Sequence, residues 1–197
     1  CYWTRRAYQP GTRVWDLGCS TGTQLELLAR VLGPEALLCG VDNSAPMLEK
    51  ARQKLGDKYS PQVELIEADI ASVPITNCSV VILNYTLQFM PVQQRSLLLA
   101  KIYQALKPGG LLILSEKLRS EHPPFEEGVT YFYESFKQRN GYSRNEIERK
   151  KEALENVLVT LSDQQQQDML REAGFEHQEV ILRWHNFATR VAQKAGG

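Results

Sequence analysis

The sequence has no excess of charge of either sign, because Lys+Arg and Asp+Glu both total 23 among its 197 residues. Proteins that bind nucleic acid directly usually carry a basic excess, so this balance predicts no direct nucleic-acid partner. The apolar runs are far shorter than the ~20 residues that a membrane-spanning helix needs, and no secretory signal is recognisable. We therefore expect a cytoplasmic protein without a membrane span.

Metal-binding and nucleophilic patterns are also missing. The four cysteines form no C-x-x-C pair and the three histidines are scattered; they are Cys1, Cys19, Cys39, Cys78, His122, His177 and His185. Their spacing predicts no metal site, buried thiols in a reducing compartment and histidines with structural roles. No paired carboxylates, histidine pair or nucleophile motif marks a catalytic dyad, so the catalytic residues stay unknown. Catalysis is then expected to rest mainly on positioning two reactants.

Strand-like apolar runs alternate with helical patterns from Arg13 to about Glu116, which predicts an α/β fold with a parallel sheet and crossover helices. The predicted strands are 13–17, 37–41, 63–67, 79–84 and 110–116, with helices at about 22–32, 44–55 and 91–106. A further helix near 162–173 precedes an antiparallel pair of strands, 178–184 and 187–193. The chain is therefore expected to form a single domain, 1–197, around a mostly parallel seven-stranded sheet.

A glycine-containing loop follows the first predicted strand, in V-W-D-L-G-C-S-T-G at 14–22. The missing Cβ of Gly18 would let a ligand approach the backbone closely, and free N–H groups at the start of the next helix would face it. The second predicted strand ends in Asp42, at the position where an acid binds ribose hydroxyls. This pattern predicts a nucleoside cofactor, and a tight structural turn is the alternative.

The loop is not the dinucleotide motif G-x-G-x-x-G, which would require glycine at Ser20. The spacing acid-x-G-x-S-x-G is closer to class I enzymes that use S-adenosylmethionine, so we predict a class I methyltransferase-like, Rossmann-like fold. Asp16 fits this cofactor, because a carboxylate beside the loop repels phosphates but attracts an ammonium group.

Ligands of such sheets bind beyond the carboxyl ends of the parallel strands. Four strand ends therefore supply the predicted cofactor site: Gly18, Cys19, Ser20, Asp42, Asn43, Asp69, Ile70 and Asn84. For each residue alone, a role in a turn or helix cap is the alternative. Residues 122–158 are charged and aromatic with helical spacing, and they are too many for a simple connection. We predict a helical cover, inserted at about 119–160, over the cofactor end of the sheet.

Several longer motifs resemble those of carboxy-S-adenosyl-L-methionine synthases, from about Gln9 to Ala192. They are D-L-G-C-S at 16–20, V-D-N-S at 41–44, L-N-Y-T-L-Q-F at 83–89, K-I-Y-Q at 101–104, L-S-E-K at 114–117, N-G-Y-S at 140–143, L-E-N-V at 154–157, A-G-F-E-H at 173–177 and N-F at 186–187. The resemblance implies conversion of S-adenosyl-L-methionine and prephenate into carboxy-S-adenosyl-L-methionine and phenylpyruvate. It also implies a homodimer, and transfer of the product to a tRNA carboxymethyltransferase that modifies a wobble uridine.

The resemblance further implies that the acidified methyl group next to the sulfonium captures the carbon dioxide that prephenate loses. Water must be excluded from this step, which suits an aromatic cover. The family places an arginine, contributed across the dimer interface, against the new carboxylate. Lys151 stands at that position here, which keeps the charge but loses the two-pronged geometry of arginine. A solvated basic helix face is the alternative role for Lys151.

Two other functions remain open on the sequence alone. The first is an ordinary S-adenosylmethionine-dependent methyltransferase acting on a small molecule, which the lysine at 151 would favour. The second is a non-enzymatic module that binds the cofactor and serves another protein. The product formed from S-adenosylmethionine and prephenate distinguishes these functions.

Overall fold

A computed structural model of the chain describes residues 2–59, 61–155 and 157–196. The main sheet has the strand order β3-β2-β1-β4-β5-β8-β7. Strands β1 to β5 pair in parallel, and β8 runs antiparallel to both β5 and β7. The strands are β1 (Arg13–Leu17), β2 (Leu37–Asp42), β3 (Val63–Glu67), β4 (Cys78–Asn84), β5 (Leu106–Arg119), β6 (Leu161–Ser162), β7 (His177–Trp184) and β8 (Phe187–Gln193).

Helices cover both faces of this sheet. They are α1 (Tyr2–Ala7), α2 (Thr23–Leu32), α3 (Ala45–Tyr59), α4 (Val92–Ala105), α5 (Pro123–Arg139), α6 (Arg144–Leu154) and α7 (Asp163–Glu172), with a short 3₁₀ turn at Leu87–Phe89. No helix in the described part of the chain is both long and apolar enough to cross a membrane.

Two apolar cores form because the central strands are buried on both faces, as parallel strands usually are. Trp15 and Leu17 of β1 pack with α4 and α7, through residues such as Leu99 and Leu170. Val14, from the other face of β1, packs with α1, α2 and α3. The alternation along one short strand thus fixes which helices lie on which side. The parallel pairing of β1 to β5 places the carboxyl ends of these strands together at one edge.

The mostly parallel α/β sheet and the final antiparallel pair are confirmed, but the predicted strand 110–116 is wrong at its boundaries. It begins at Leu106, directly after α4, and its pairing with β4 shifts register between Leu106 and Leu111. Pro108 has no N–H to donate, Gly109 has φ +75°, and a Cβ on Gly110 would lie 2.9 Å from Ser79 O. In the sequence, these residues predict a turn between two secondary-structure elements. The structure instead accommodates them as an irregularity inside one long strand.

Elements absent from the sequence prediction are short or irregular. α1 has six residues, and β6 has only two residues and pairs with the end of β5. α3 continues to Tyr59 through Gly56, whose φ of +52° interrupts the helix. Cys19, Cys39 and Cys78 are buried free thiols. The predictions for Cys1 and for Asn156 of the L-E-N-V motif lie outside the described residues.

The segment predicted as a cover contains two helices, α5 and α6. α5 contains Pro124 near its start and has no fully buried residue, whereas Ile147 of α6 is buried. The side chain of Ser143 accepts from Glu146 N, and the Glu146 side chain accepts from Ser143 N, which gives α6 a complete capping box. Tyr133 on α5 packs against Phe187 of β8, with ring centroids 5.1 Å apart.

Candidate cofactor site

The loop between β1 and α2 is shaped by close contact with the loop after β4. Gly18 has φ +87°, and a Cβ at this position would overlap the side chain of Thr86, lying 2.6 Å from its Cγ2. Gly18 N and Cys19 N both donate to Val41 O, at 2.8 and 2.9 Å. Ser20 is also left-handed, with φ +48°. The loop is therefore held tightly to the neighbouring strands: Thr86 fills the space that a Cβ of Gly18 would take, and the N–H groups of Gly18 and Cys19 are already bonded.

Asp42 ties two loops of this edge together. Its carboxylate accepts hydrogen bonds from Ser20 N and Ser44 N, both at 2.9 Å. A carboxylate has about four lone-pair positions, so two positions remain for a diol. Asn43 follows as an exposed residue at the start of the loop to α3. The predicted ribose-binding position therefore lies beside the glycine loop, and its carboxylate is oriented by the backbone.

Asp16 lies buried near this edge, and the residue is only 1% exposed. Its Oδ2 has no hydrogen-bond partner among the residues that the structure describes. Burial, and then repulsion from Asp42, raise the pKa of Asp16 to about 7. A buried carboxyl oxygen without a partner is unfavourable by roughly 1–3 kcal/mol or more. An ammonium group would satisfy it, so the residues present fit the amino-acid end of S-adenosylmethionine.

The other two predicted strand ends adjoin the first pair, since β3 lies next to β2 and β4 next to β1. Asp69 is exposed, and its Oδ1 accepts from Ala71 N at 2.8 Å, so this carboxylate already closes a turn. Ile70 is buried in the core on the α4 side. Asn84 is exposed at the end of β4, directly before Tyr85, which has φ +57°. All four predicted segments therefore lie along one sheet edge.

A buried polar network behind this edge was not predicted from the sequence. Glu116 accepts a hydrogen bond from Leu87 N at 3.1 Å, and burial raises its pKa to about 8 although Arg95 opposes the shift. Arg95 donates to Gln88 O and Met90 O, at 3.0 and 2.9 Å. Together they fix the turn that follows Asn84. Gln88 and Glu116 belong to two of the family motifs, at 83–89 and 114–117, so those motifs were the sequence feature that could have indicated this network.

A cavity of about 700 Å³ opens beside Tyr85, between that turn, the end of β5, the start of β8 and the helices α5 and α6. Four lysines line it, Lys117, Lys137, Lys150 and Lys151, together with the rings of Tyr85, Tyr133 and Phe187. Lys151 lies at its exposed side and forms an ion pair with Glu134, at 3.4 Å. The structure thus brings Lys151 to a cavity that adjoins the cofactor edge.

No group of three or more His, Cys, Asp or Glu side chains within the described ranges is arranged to hold a metal ion. The candidate site is therefore built from backbone groups, carboxylates, amides and lysines.

Comparison with known proteins adds family information to this geometry. A family model described as a methyltransferase domain matches residues 14–110. The carboxy-S-adenosyl-L-methionine synthase of Trichodesmium erythraeum (strain IMS101) is 53% identical over 195 residues, which cover 98% of this chain and 77% of that protein. The proteins of the same name from Aeromonas hydrophila and Klebsiella pneumoniae are 45% and 43% identical, over 96% and 97% of this chain and 77% and 78% of their own lengths.

Solved structures support the fold at lower sequence identity. Human N-acetylserotonin methyltransferase in complex with SAM matches with a TM-score of 0.64 at 20% identity, over 98% of this chain and 51% of that one. The S-adenosylmethionine-dependent methyltransferase SibL matches with a TM-score of 0.64 at 21% identity, over 93% of this chain and 50% of that one. The chain spans about half the length of these structures, and the likeness concerns the fold alone.

Proposed function

The chain belongs to the carboxy-S-adenosyl-L-methionine synthase family, and we propose that it converts S-adenosyl-L-methionine and prephenate to carboxy-S-adenosyl-L-methionine and phenylpyruvate. In this reaction the carbon dioxide lost from prephenate becomes bonded to the methyl carbon. The methyl proton and the ring hydroxyl of prephenate leave together as water, so the atoms balance. The observation that carries the proposal is a sheet edge with an unpaired buried carboxyl, beside a second cavity lined by lysines, glutamates and aromatic rings.

The nucleoside-binding role is proposed for the residues at the four strand ends: Gly18, Cys19, Ser20, Asp42, Asn43, Asp69, Ile70 and Asn84. S-adenosylmethionine supplies a methyl group activated by the adjacent sulfonium. Asp42 would accept hydrogen bonds from the ribose hydroxyls, and Asp16 would pair with the ammonium group. Asp69 would have to exchange its bond to Ala71 N, or share it, to accept from the adenine amino group.

Exclusion of water is the role that we assign to the aromatic residues above the cavity. Tyr133 and Phe136 of α5 pack on Trp184, with ring centroids 6.0 and 4.7 Å away. Phe187 joins Tyr133 to Tyr85, at 5.1 and 5.6 Å. A carbon that has lost a proton next to sulfur would be reprotonated by water, so an aromatic wall that limits the access of water would protect the carboxylation.

Lys151 is proposed to contact the carboxylate that the reaction adds to the methyl group. Its ammonium group is half exposed and bound only to Glu134. An exposed ion pair of this kind stabilises a protein by about 0–1 kcal/mol, so Lys151 can exchange Glu134 for a ligand at little cost.

A homodimer is proposed because α5 exposes Phe125, Tyr131 and Phe132, which are 67%, 67% and 58% accessible. A second copy that covers this face would also lie near Lys151 on the adjacent helix. Light scattering is expected to give twice the chain mass of 22.4 kDa. Tyr131→Glu combined with Phe132→Glu should yield monomers, and a wild-type monomer would contradict the proposal.

The reaction itself is tested by incubating the protein with S-adenosylmethionine and prephenate and measuring the mass of the nucleoside product. A product heavier than the substrate by one carbon dioxide supports the proposal. The alternative is an ordinary methyltransferase acting on a small molecule, for which S-adenosylhomocysteine would accumulate instead. A folded protein that binds the nucleoside but alters it with neither substrate would support a binding module.

The place of the product in the cell is part of the same proposal. The carboxylated cofactor would be released in the cytoplasm and used by a tRNA carboxymethyltransferase on a wobble uridine. Equal numbers of acidic and basic residues support a protein that makes the small molecule and leaves tRNA to the partner enzyme. Tight tRNA binding by this protein at physiological salt would contradict that division of labour.

A further inference from the structure

One wall of the 700 Å³ cavity carries a polar side chain without a partner. Asn186 is 5% exposed, and neither its Nδ2 nor its Oδ1 forms a hydrogen bond with any described residue. Its backbone O accepts from Leu118 N at 2.6 Å, so the residue is fixed at the start of β8. A buried amide that lacks both partners is unfavourable, and such a group in a cavity wall points to a ligand that would satisfy it.

Two lysines on the same cavity also lack a carboxylate partner within the described ranges: Lys117 on β5 and Lys137 on α5. Both are half-buried, unlike the exposed Lys150 and Lys151. The half-buried glutamates of the cavity are already occupied, Glu134 by Lys151 and Glu126 by Ser120 N at 2.6 Å. Glu148, Glu152 and Glu155 also line the cavity but are exposed, so among the described residues no ion pair holds the two half-buried lysines.

The electrostatics at Lys137 agree with this arrangement. Its pKa is lowered by burial, and then by repulsion from Lys150 and Lys117, although Glu134 opposes the shift. A bound anion would offset this repulsion and raise the pKa of the ammonium group.

Aromatic rings lie beside these lysines in the cavity wall. The Nζ of Lys137 lies 4.3 Å from the ring centroid of Tyr133, and Phe187 packs edge-on against the same ring. Tyr85 joins the cavity to the end of β4. An occupant that matches these walls has an apolar ring and more than one carboxylate, and it would lie next to the cofactor edge.

We infer that Lys117, Lys137 and Asn186 receive the carboxylates of a cyclic dicarboxylate co-substrate. The inference rests on the proposed function, for which prephenate is the compound of this class. The lysines supply charge, and the Nδ2 of Asn186 donates to a carboxylate oxygen. Lys151 is left free for the carboxylate that the reaction adds to the cofactor.

Calorimetry of prephenate binding to protein saturated with S-adenosylhomocysteine tests the inference without turnover. Lys117→Met and Lys137→Met should each raise the dissociation constant for prephenate about tenfold or more, because a charge-assisted hydrogen bond is lost. Lys117→Arg and Lys137→Arg should restore most of the affinity. Asn186→Asp, which is nearly isosteric, should weaken prephenate binding by adding a negative charge. Lys50→Met, an exposed lysine on α3, is the matched control and should bind like the wild type.

All variants should bind S-adenosylhomocysteine with wild-type affinity, which separates loss of this subsite from misfolding. Turnover of prephenate by the wild type, with prephenate binding unchanged in both methionine variants, would overturn the inference and leave the proposed function intact. Lysine-dependent binding of prephenate without turnover would support the inference and contradict the proposed function. A wild type that does not bind prephenate at all would overturn both.

Discussion

Removal of the Asp42 carboxylate gives the most direct test of the nucleoside site. In Asp42→Ala, the ribose hydroxyls would lose a charged acceptor that the backbone N–H groups of Ser20 and Ser44 hold in place at 2.9 Å. Hydrogen bonds to charged groups contribute about 1.5–3 kcal/mol each, and water partly replaces the lost acceptor. We expect binding of the cofactor to weaken by about 2–3 kcal/mol, which is a rise of roughly 30- to 150-fold in the dissociation constant.

Titration calorimetry with S-adenosylhomocysteine measures this loss, with thermal unfolding in parallel because the same substitution removes two internal hydrogen bonds. Asp168→Ala is a suitable control, since that exposed carboxylate pairs only with side chains of its own helix. A folded Asp42→Ala protein that binds the nucleoside with unchanged affinity would remove Asp42 from the site and refute the reasoning.

Three further predictions follow from the same edge of the sheet. Gly18→Ala should lower the free energy of unfolding by about 1–3 kcal/mol, because Gly18 has a positive φ and its Cβ would overlap Thr86. Adding Thr86→Ala should recover part of this loss, and chemical denaturation of the two single variants and the double variant measures the recovery. Because the pKa of Asp16 is raised to about 7, its carboxyl must lose a proton to pair with an ammonium group, so cofactor affinity should rise with pH from about 5.5 to 7.5. Asp16→Asn should abolish this dependence in calorimetry, and a persistent dependence would assign it to another group. Lys151→Ala should spare S-adenosylmethionine but weaken binding of its carboxylated form, whereas equal losses for both would contradict the assigned role.

The pKa of Asp16 also has a consequence for stability of the free protein. A carboxyl whose folded pKa lies above its ordinary value of 3.8 binds more protons in the folded chain than in the unfolded chain. Its contribution is therefore present below about pH 4 and is lost as the pH rises toward 7. A bound ammonium group would favour the ionised form of this carboxyl and offset these causes, so the ligand should stabilise the protein most at neutral pH.

The sequence predicted the sheet well because its strands are short, apolar and separated by helices with clear starts. The strands 13–17, 63–67 and 187–193 match the structure at both ends. The boundaries of β5 could not be predicted in the same way. Pro108, Gly109 and Gly110 normally end an element. The irregular backbone stays in the sheet because β4 pairs with the residues on either side of it, and because Gly109 and Gly110 bond to the backbone of Lys194.

The cofactor edge was predictable since its residues follow strands that are close in sequence. Asp42 follows Gly18 by one helix and one strand, and parallel pairing then brings the two together. The second cavity is different, because Lys117, Lys137 and Asn186 come from β5, α5 and the start of β8. No periodic pattern relates residues 20 and 49 positions apart, so only the packed structure, in which Tyr133 of α5 contacts Phe187 of β8, shows that they line one cavity.

The cofactor edge and the second cavity come from different parts of the chain. The methyltransferase-domain match ends at residue 110, and it contains all the predicted nucleoside-binding positions. Lys117, Lys137, Lys151 and Asn186 all lie after it, in the segments that form the cavity. A cofactor edge alone would serve many reactions, because catalysis by positioning depends on which second reactant is held next to the activated methyl group. We therefore infer that the choice of reaction resides in the chain after Glu116, whose buried carboxyl also fixes the turn joining the two halves of the site.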